Sequence, residues 1–218
     1  MKDYSQNLNE LYRGVMPELN RIGRLYEGVS GPLLVAVPEG FDQATVRLMI
    51  VGQQTYGWPC VSLGLDELLR RYRCFDLGRC YRRSPFWQAS HSLYARLNPN
   101  GPDRAFVWSN LVKVDQCARR PSPQLEEEVC RLGLLAGELQ VVRPDAVVFF
   151  TGPYYDERLR QTFAGVELAP LTPDVRDVAL LKHPDFPAKA YRTYHPAYLR
   201  RAKKWAVLDA IVQHIGGH

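Results

Sequence analysis

The sequence predicts an α/β layered domain with a largely parallel sheet. Three observations carry that expectation. Short apolar runs each stop at a glycine or a polar loop, amphipathic stretches at helical spacing lie between them, and the composition leaves room for a core. The 218 residues are 46% apolar and 23% charged, the balance of a globular chain and not of a disordered one. That length suits one domain, with residues 1–40 as an N-terminal helix and connector and 41–218 as the α/β core.

Residues 4–28 place Leu8, Leu11, Val15, Leu19, Ile22 and Leu25 at helical spacing. Gly28, Gly31, Pro32, Pro38 and Gly40 punctuate the connector that follows. Residues 47–51 form an apolar run ending at Gly52, which suits a buried strand feeding a loop. Residues 65–75 and 84–97 read as helices, the second started by Ser84-Pro85. Residues 105–112 are a second apolar, β-rich run. Ser122-Pro123 followed by Glu126, Glu127 and Glu128 marks a helix start, since serine caps and acidic first turns suit the helix dipole. Leu125, Val129, Leu132, Ala136 and Leu139 continue one stripe, so a single helix is expected up to Pro144. Residues 146–150 are a third strand, and 156–163 a short helix. Residues 178–181 and 191–194 are candidate strands around a loop holding Pro184 and Pro187. A last helix is expected from about Tyr198 to Ile215, with Trp205, Leu208, Val212 and Ile215 on its apolar face.

Several classes are excluded on the same evidence. No run reaches the roughly 18 apolar residues of a membrane-spanning helix. The opening MKDYSQNLNELYRG lacks the apolar core of a signal peptide, so a cytoplasmic protein is expected. Cys60, Cys74, Cys80, Cys117 and Cys130 are odd in number and contain no C-x-x-C, which speaks against a disulfide framework or a zinc knuckle. Reduced, mostly buried thiols are expected instead. Neither G-x-x-x-x-G-K-S/T nor G-x-G-x-x-G occurs, which argues against phosphate-loop and dinucleotide enzymes.

The net charge of +5 is unevenly placed. Residues 66–83 hold Arg70, Arg71, Arg73, Arg79, Arg82 and Arg83 against three acidic residues, and 191–218 hold five cations against Asp209. Two basic segments on a slightly acidic body fit a polyanion-binding face, or two solvated helix faces. In a parallel sheet, ligands bind at the carboxyl ends of strands. The residues there are Gln53, Gln54, Thr55 and Tyr56 after the first run, Asn110 in the second, Gly152 to Asp156 after the third, and His195 after the last.

Three blocks at these strand ends resemble, in order, the uracil-DNA glycosylase superfamily. GQQTY at 52–56 resembles the water-activating GQDPY loop. SNLV at 109–112 resembles the strand segment whose asparagine reads the base, and TYHPAYLRR at 193–201 is similar to the HPS-x-L loop and closer still to the HPSYL-R form of the iron–sulfur branch. The matched order of elements runs over roughly 47–215. The resemblance implies a three-layer sandwich with a central, mainly parallel four-stranded sheet flanked by helices. It also implies a monofunctional DNA N-glycosylase, without cofactor, acting as a monomer on double- or single-stranded DNA.

A stacked base cannot be attacked until it is flipped out, which costs a few kcal/mol. By the resemblance, Leu199 is the wedge that holds the stack open, and Arg200, Arg201, Lys203 and Lys204 beside it neutralise phosphates. Asn110 pairs with the base edge, since a carboxamide both donates and accepts. His195 donates to the carbonyl oxygen of the leaving base, where charge develops. Tyr56 lines the pocket floor and limits substituents on the pyrimidine, and Tyr56, Trp58 and Phe75 are candidates to stack on it.

The loop departs from the family at Gln54, where the water-activating aspartate stands, and at Thr55, where proline stands. Another branch carries glutamate where this chain has Gln53. Gln54 or Thr55 would position water without ionising. Asp156 and Asp115 are the nearest carboxylates by strand-end placement, and each also reads as a surface or capping aspartate. The paired cysteines of the iron–sulfur branch are missing, so no metal cluster is expected. The altered loop points to a damaged pyrimidine or a modified cytosine, such as those of phage DNA, in repair or phage defence. The basic segment 70–83 would then frame an enlarged pocket or a second strand contact. A non-catalytic DNA-binding protein of the same fold is the second expectation; Asn110 and His195 speak against it.

Overall fold

The computed structural model describes residues 3–59 and 63–217. Six strands lie among them: β1 (Leu48–Gly52), β2 (Val107–Asn110), β3 (Ala146–Phe149), β4 (Glu167–Pro170), β5 (Val178–Lys182) and β6 (Lys189–Thr193). The helices are α1 (Tyr4–Leu25), α2 (Gly64–Phe75), α3 (Pro85–Leu97), α4 (Pro123–Arg131), α5 (Leu134–Val142), α6 (Asp156–Thr162), α7 (Pro196–Arg201) and α8 (Val207–Gly216).

The strands form one sheet in the order β2-β1-β3-β6-β5-β4. The first four run parallel, while β5 is antiparallel to β6 and β4 to β5. The sheet is therefore mixed and six-stranded, which corrects the four-stranded expectation. Of the two strands beyond four, β5 falls on the candidate run 178–181, whereas β4, which no candidate run covers, is Glu-Leu-Ala-Pro, neither fully buried nor an apolar run. It is an edge strand, and an edge tolerates a proline and polar residues that a central strand does not.

Helices cover both faces. Consecutive residues of a strand point to opposite sides. Trp108 of β2 packs on Trp87 of α3 and stacks on Tyr72 of α2. The next residue, Ser109, donates to Glu138 of α5 at 2.8 Å. With α1 packed on α4 and α5, and α3 on α7 and α8, the order is helix, sheet, helix.

Two helices expected to be continuous are broken. The stripe from Leu125 to Leu139 is split by Gly133 at φ 66°, a left-handed position that ends α4. The last helix is split around Lys203 at φ 56°. The thiol expectation is also corrected: Cys74, Cys80 and Cys117 are exposed and Cys130 is half-buried, while Cys60 lies outside the described residues. No described helix is long and apolar enough to cross a membrane.

Register delivers the strand ends to one place. Gly52 pairs with Asn110 at the ends of β1 and β2, and Phe149 with Arg192 at the ends of β3 and β6. The loop after β1, the last residue of β2 and the loop after β6 therefore open at the same edge of the sheet.

Candidate active site

These ends enclose a cavity of about 830 Å³. Gln53, Gln54, Thr55, Tyr56 and Trp58 line it from the loop after β1, Phe75 from α2, Asn110 from β2 and His195 from the loop after β6. Eight of the candidate residues are brought together.

Asn110 is 2% exposed, and its Nδ2 has no hydrogen-bond partner. A buried, unpaired donor is costly unless something fills it. Gly52 makes room for this side chain: a Cβ there would lie 2.4 Å from Oδ1 of Asn110 and 3.3 Å from the Phe86 ring. The Nε1 groups of Trp58 and Trp108, which also line the cavity, are buried and unpartnered too.

His195 caps α7, with Nδ1 accepting from the backbone N–H of Ala197 at 3.2 Å. That assigns the proton of the neutral ring to Nε2. Burial holds the imidazole pKa below the ordinary histidine value, so the ring is neutral near pH 7. Phe86 lies nearly parallel to it, ring centres 5.9 Å apart.

The walls are aromatic. Ring contacts run from Trp108 to Phe75 (5.2 Å, tilted), from Phe75 to Trp58 (5.6 Å, edge-on), and from Trp108 to Trp87 (5.0 Å, edge-on). Phe86, Trp87 and Trp108 line the cavity without having been expected there, and Arg71 and Tyr81 line it from the 70–83 segment. Trp108 was findable: it stands two residues before Asn110 in one strand, hence on the same face.

In the loop, Gln53 Nε2 donates to the Thr151 carbonyl at 2.7 Å, and the Tyr155 hydroxyl donates to Gln54 Oε1 at 2.5 Å. Burial pushes the Tyr155 pKa up to about 12, which keeps that donor protonated. Thr55 is buried, with its hydroxyl 3.2 Å from that of Ser30. No Asp or Glu is among the described residues lining the cavity. Asp115 accepts from the backbone N–H groups of Trp58 (3.2 Å) and Ala118 (2.9 Å), so it shapes the loop and does not face the cavity.

Three expectations are corrected, and a fourth residue, Lys204, is found engaged by a carboxylate. Asp156 does not line the cavity: it forms a two-point ion pair with the buried Arg192, at 2.8 and 2.9 Å. Leu199 is 0% exposed, packed in the core as the first turn of α7 closes, and offers no wedge. Tyr56 is 84% exposed, so it stands at the rim and not on the floor. Lys204 is committed to Asp177 at 2.7 Å. Arg200, Arg201 and Lys203 are exposed, as phosphate contacts must be. In the other basic segment, Arg70 and Arg71 share Glu67 and draw its carboxyl pKa down to about 2, whereas Arg82 and Arg83 are exposed and make no ion pair among the described residues.

A search of curated proteins gives no match. Residues 39–215 match the family profile described as the uracil DNA glycosylase superfamily. That match spans most of the chain, from the turn before β1 to the end of α8, and it places the protein in the uracil DNA glycosylase superfamily.

Proposed function

We propose that the protein is a monofunctional DNA glycosylase that hydrolyses the base–sugar bond of a flipped-out pyrimidine other than plain uracil. One observation carries this reading: a buried carboxamide with an unpartnered Nδ2 and a neutral imidazole with its proton on Nε2 line the same aromatic cavity. The flipped base stacks between rings, and Asn110 pairs with its edge. As the C–N bond breaks, its electron pair goes to the base and charge gathers on the ring carbonyl oxygen. The Nε2–H of His195 is the donor for that charge; loss of one such donor costs about 10²–10³ in rate. Water then adds to the sugar cation, and the proton it loses passes through solvent to the departed base anion, leaving the neutral free base and an abasic site.

None of the described residues lining the cavity is a carboxylate that could take that proton directly. Gln54, with its oxygen held by Tyr155, orients water through its amide without accepting a proton. General-base help worth about 10²–10⁴ is absent, so leaving-group stabilisation carries the rate. Base choice follows from Tyr56: with its ring at the rim, the place where a ring substituent would sit is not closed by that side chain. A damaged pyrimidine or modified cytosine fits this space. The missing carboxylate also favours a second reading, a DNA-binding protein of this fold that no longer cleaves.

The test is to incubate the protein with DNAs carrying uracil or methylated, hydroxymethylated or glucosylated cytosine, and to score alkali-labile sites. Release of a modified base, lost in His195→Ala and Asn110→Ala, supports the reading. Fastest release of plain uracil overturns the specificity, and no release from any DNA leaves the binding protein.

A further inference from the structure

We infer that the mouth of the cavity is built for single-stranded DNA, with Tyr56 and Tyr81 each stacking on a base that flanks the target. The inference rests on the reading above only in taking the cavity as the place the target base enters.

Extruding a base from a duplex leaves a gap, which an apolar side chain must fill. The helix that follows the His195 loop has none to give. Leu199 is wholly buried, Ala197 is exposed but small, and Tyr198 is stacked on Tyr194 at 4.2 Å with the Arg201 guanidinium 5.5 Å from its ring.

Exposed aromatic surface lies at the rim instead. Tyr56 is 84% exposed and Tyr81 57%, and both line the cavity opening. Tyr81 is stacked on Phe75 (5.5 Å, 26° between planes), which packs in turn on Trp108 (5.2 Å, 30°). A run of rings therefore leads from the inside of the cavity to its edge and ends in an exposed face. Tyr56 reaches the rim on a different loop, held up by Gly57 at φ 66°. One exposed ring on each of two loops suits a strand whose bases on either side of the target are unpaired.

The charge fits the same partner. Arg71 lines the cavity while paired with Glu67, Arg79 is exposed with Asp76 3.6 Å away, and Arg82 and Arg83, next to Tyr81 in sequence, are exposed with no ion pair among the described residues. A cationic groove with stacking rings is the general device for single strands: every base has a π-face, while the cations follow the backbone. Binding through such rings asks for unstacked, accessible bases, which a duplex withholds.

The experiment measures binding of the full chain to a labelled, unmodified oligonucleotide of about 16 nucleotides, as single-stranded DNA, as its duplex and as RNA of the same sequence. Single-stranded DNA should bind most tightly. Tyr56→Ala and Tyr81→Ala should each weaken it about tenfold, the size of one base–aromatic stack. Tyr56→Phe and Tyr81→Phe should restore it, and thermal melts should match the unsubstituted protein. Duplex binding equal to or tighter than single-stranded overturns the proposal; if Tyr56→Ala then hurts the duplex most, that ring is a duplex wedge. Tighter binding to RNA also overturns it, as does unchanged binding in both alanine variants. Because these oligonucleotides carry no target base, the outcome is independent of excision. Ring-dependent single-strand binding without any base release keeps this surface and removes the glycosylase. Base release that prefers a duplex and ignores both rings does the reverse.

Discussion

At Gly52 a methyl group would sit 2.4 Å from the Oδ1 of Asn110, so Gly52→Ala must push the Asn110 amide aside. Its backbone is an ordinary strand, so no left-handed conformation is lost. Gly52→Ala should fold and lose base release about as completely as Asn110→Ala, scored as abasic sites beside a thermal melt. Leu199 behaves in the opposite way. Truncating a fully buried leucine costs about 2–5 kcal/mol, so Leu199→Ala should lower the urea midpoint. Its activity on duplex and single strand should fall together, where a wedge variant would lose the duplex alone. In the proposed reaction His195 sets the acid limit of activity. Its pKa is depressed by burial, so the ring stays neutral below the pH at which a free histidine charges. Protonation would set a second N–H against that of Ala197 and break the cap. The pH–rate profile should stay flat from pH 8 through about 6.5 and fall only at lower pH; a half-maximum at or above that value contradicts the assignment.

At the scale of elements, α1, β2 and α5 are tied by a buried polar cluster. Glu138 accepts from Ser109 at 2.8 Å and from Tyr12 at 3.2 Å, and is ion-paired with Lys113, all of them buried. Burial pulls the Lys113 ammonium pKa down, opposed by the charge of Glu138. Removing one partner leaves the other charge bare, which costs about 3–5 kcal/mol. Glu138→Leu should be destabilised by about that much in urea, and Lys113→Met/Glu138→Leu should recover most of it. The cluster escapes the sequence because its members lie far apart in the chain, and only the crossing of α1 and α5 brings them together. Helix breaks escape for a different reason. The apolar stripe 125–139 continues across Gly133 because both helices bury the same side, so periodicity cannot register the turn between them. Strand β4 is unreadable because an edge strand has neither two buried faces nor the apolar run that signals them.

Over the whole molecule, the +5 charge acts through its placement. Arg200, Arg201 and Lys203 are exposed on one side of the cavity-forming loops, while Arg82 and Arg83 follow the Tyr81 rim. Lys204 and Arg70 are spent on carboxylates, so the charge available to DNA is less than the count of cations. Each phosphate contact contributes about 0.7 to the slope of log K against log salt for single strands and about 0.9 for duplex. The triple variant Arg200→Gln/Arg201→Gln/Lys203→Gln should therefore flatten that slope by about two units. A slope unchanged by it would place the backbone elsewhere.

What the sequence by itself determined is local. Apolar runs, turn residues and the three strand-end blocks specify the parallel core strands and put Gln54, Asn110 and His195 at the ends of strands that register then brings together. Exposure and partnership were decided by the tertiary structure alone. Leu199 and Tyr56 stand in strand-end blocks of similar promise, yet one is buried and the other projects into solvent. Asp156, a carboxylate at a strand end, is claimed by Arg192, 36 residues away. Whether a side chain faces a cavity, the core or water depends on which elements pack around it, and an isolated buried arginine must find a carboxylate wherever the fold supplies one.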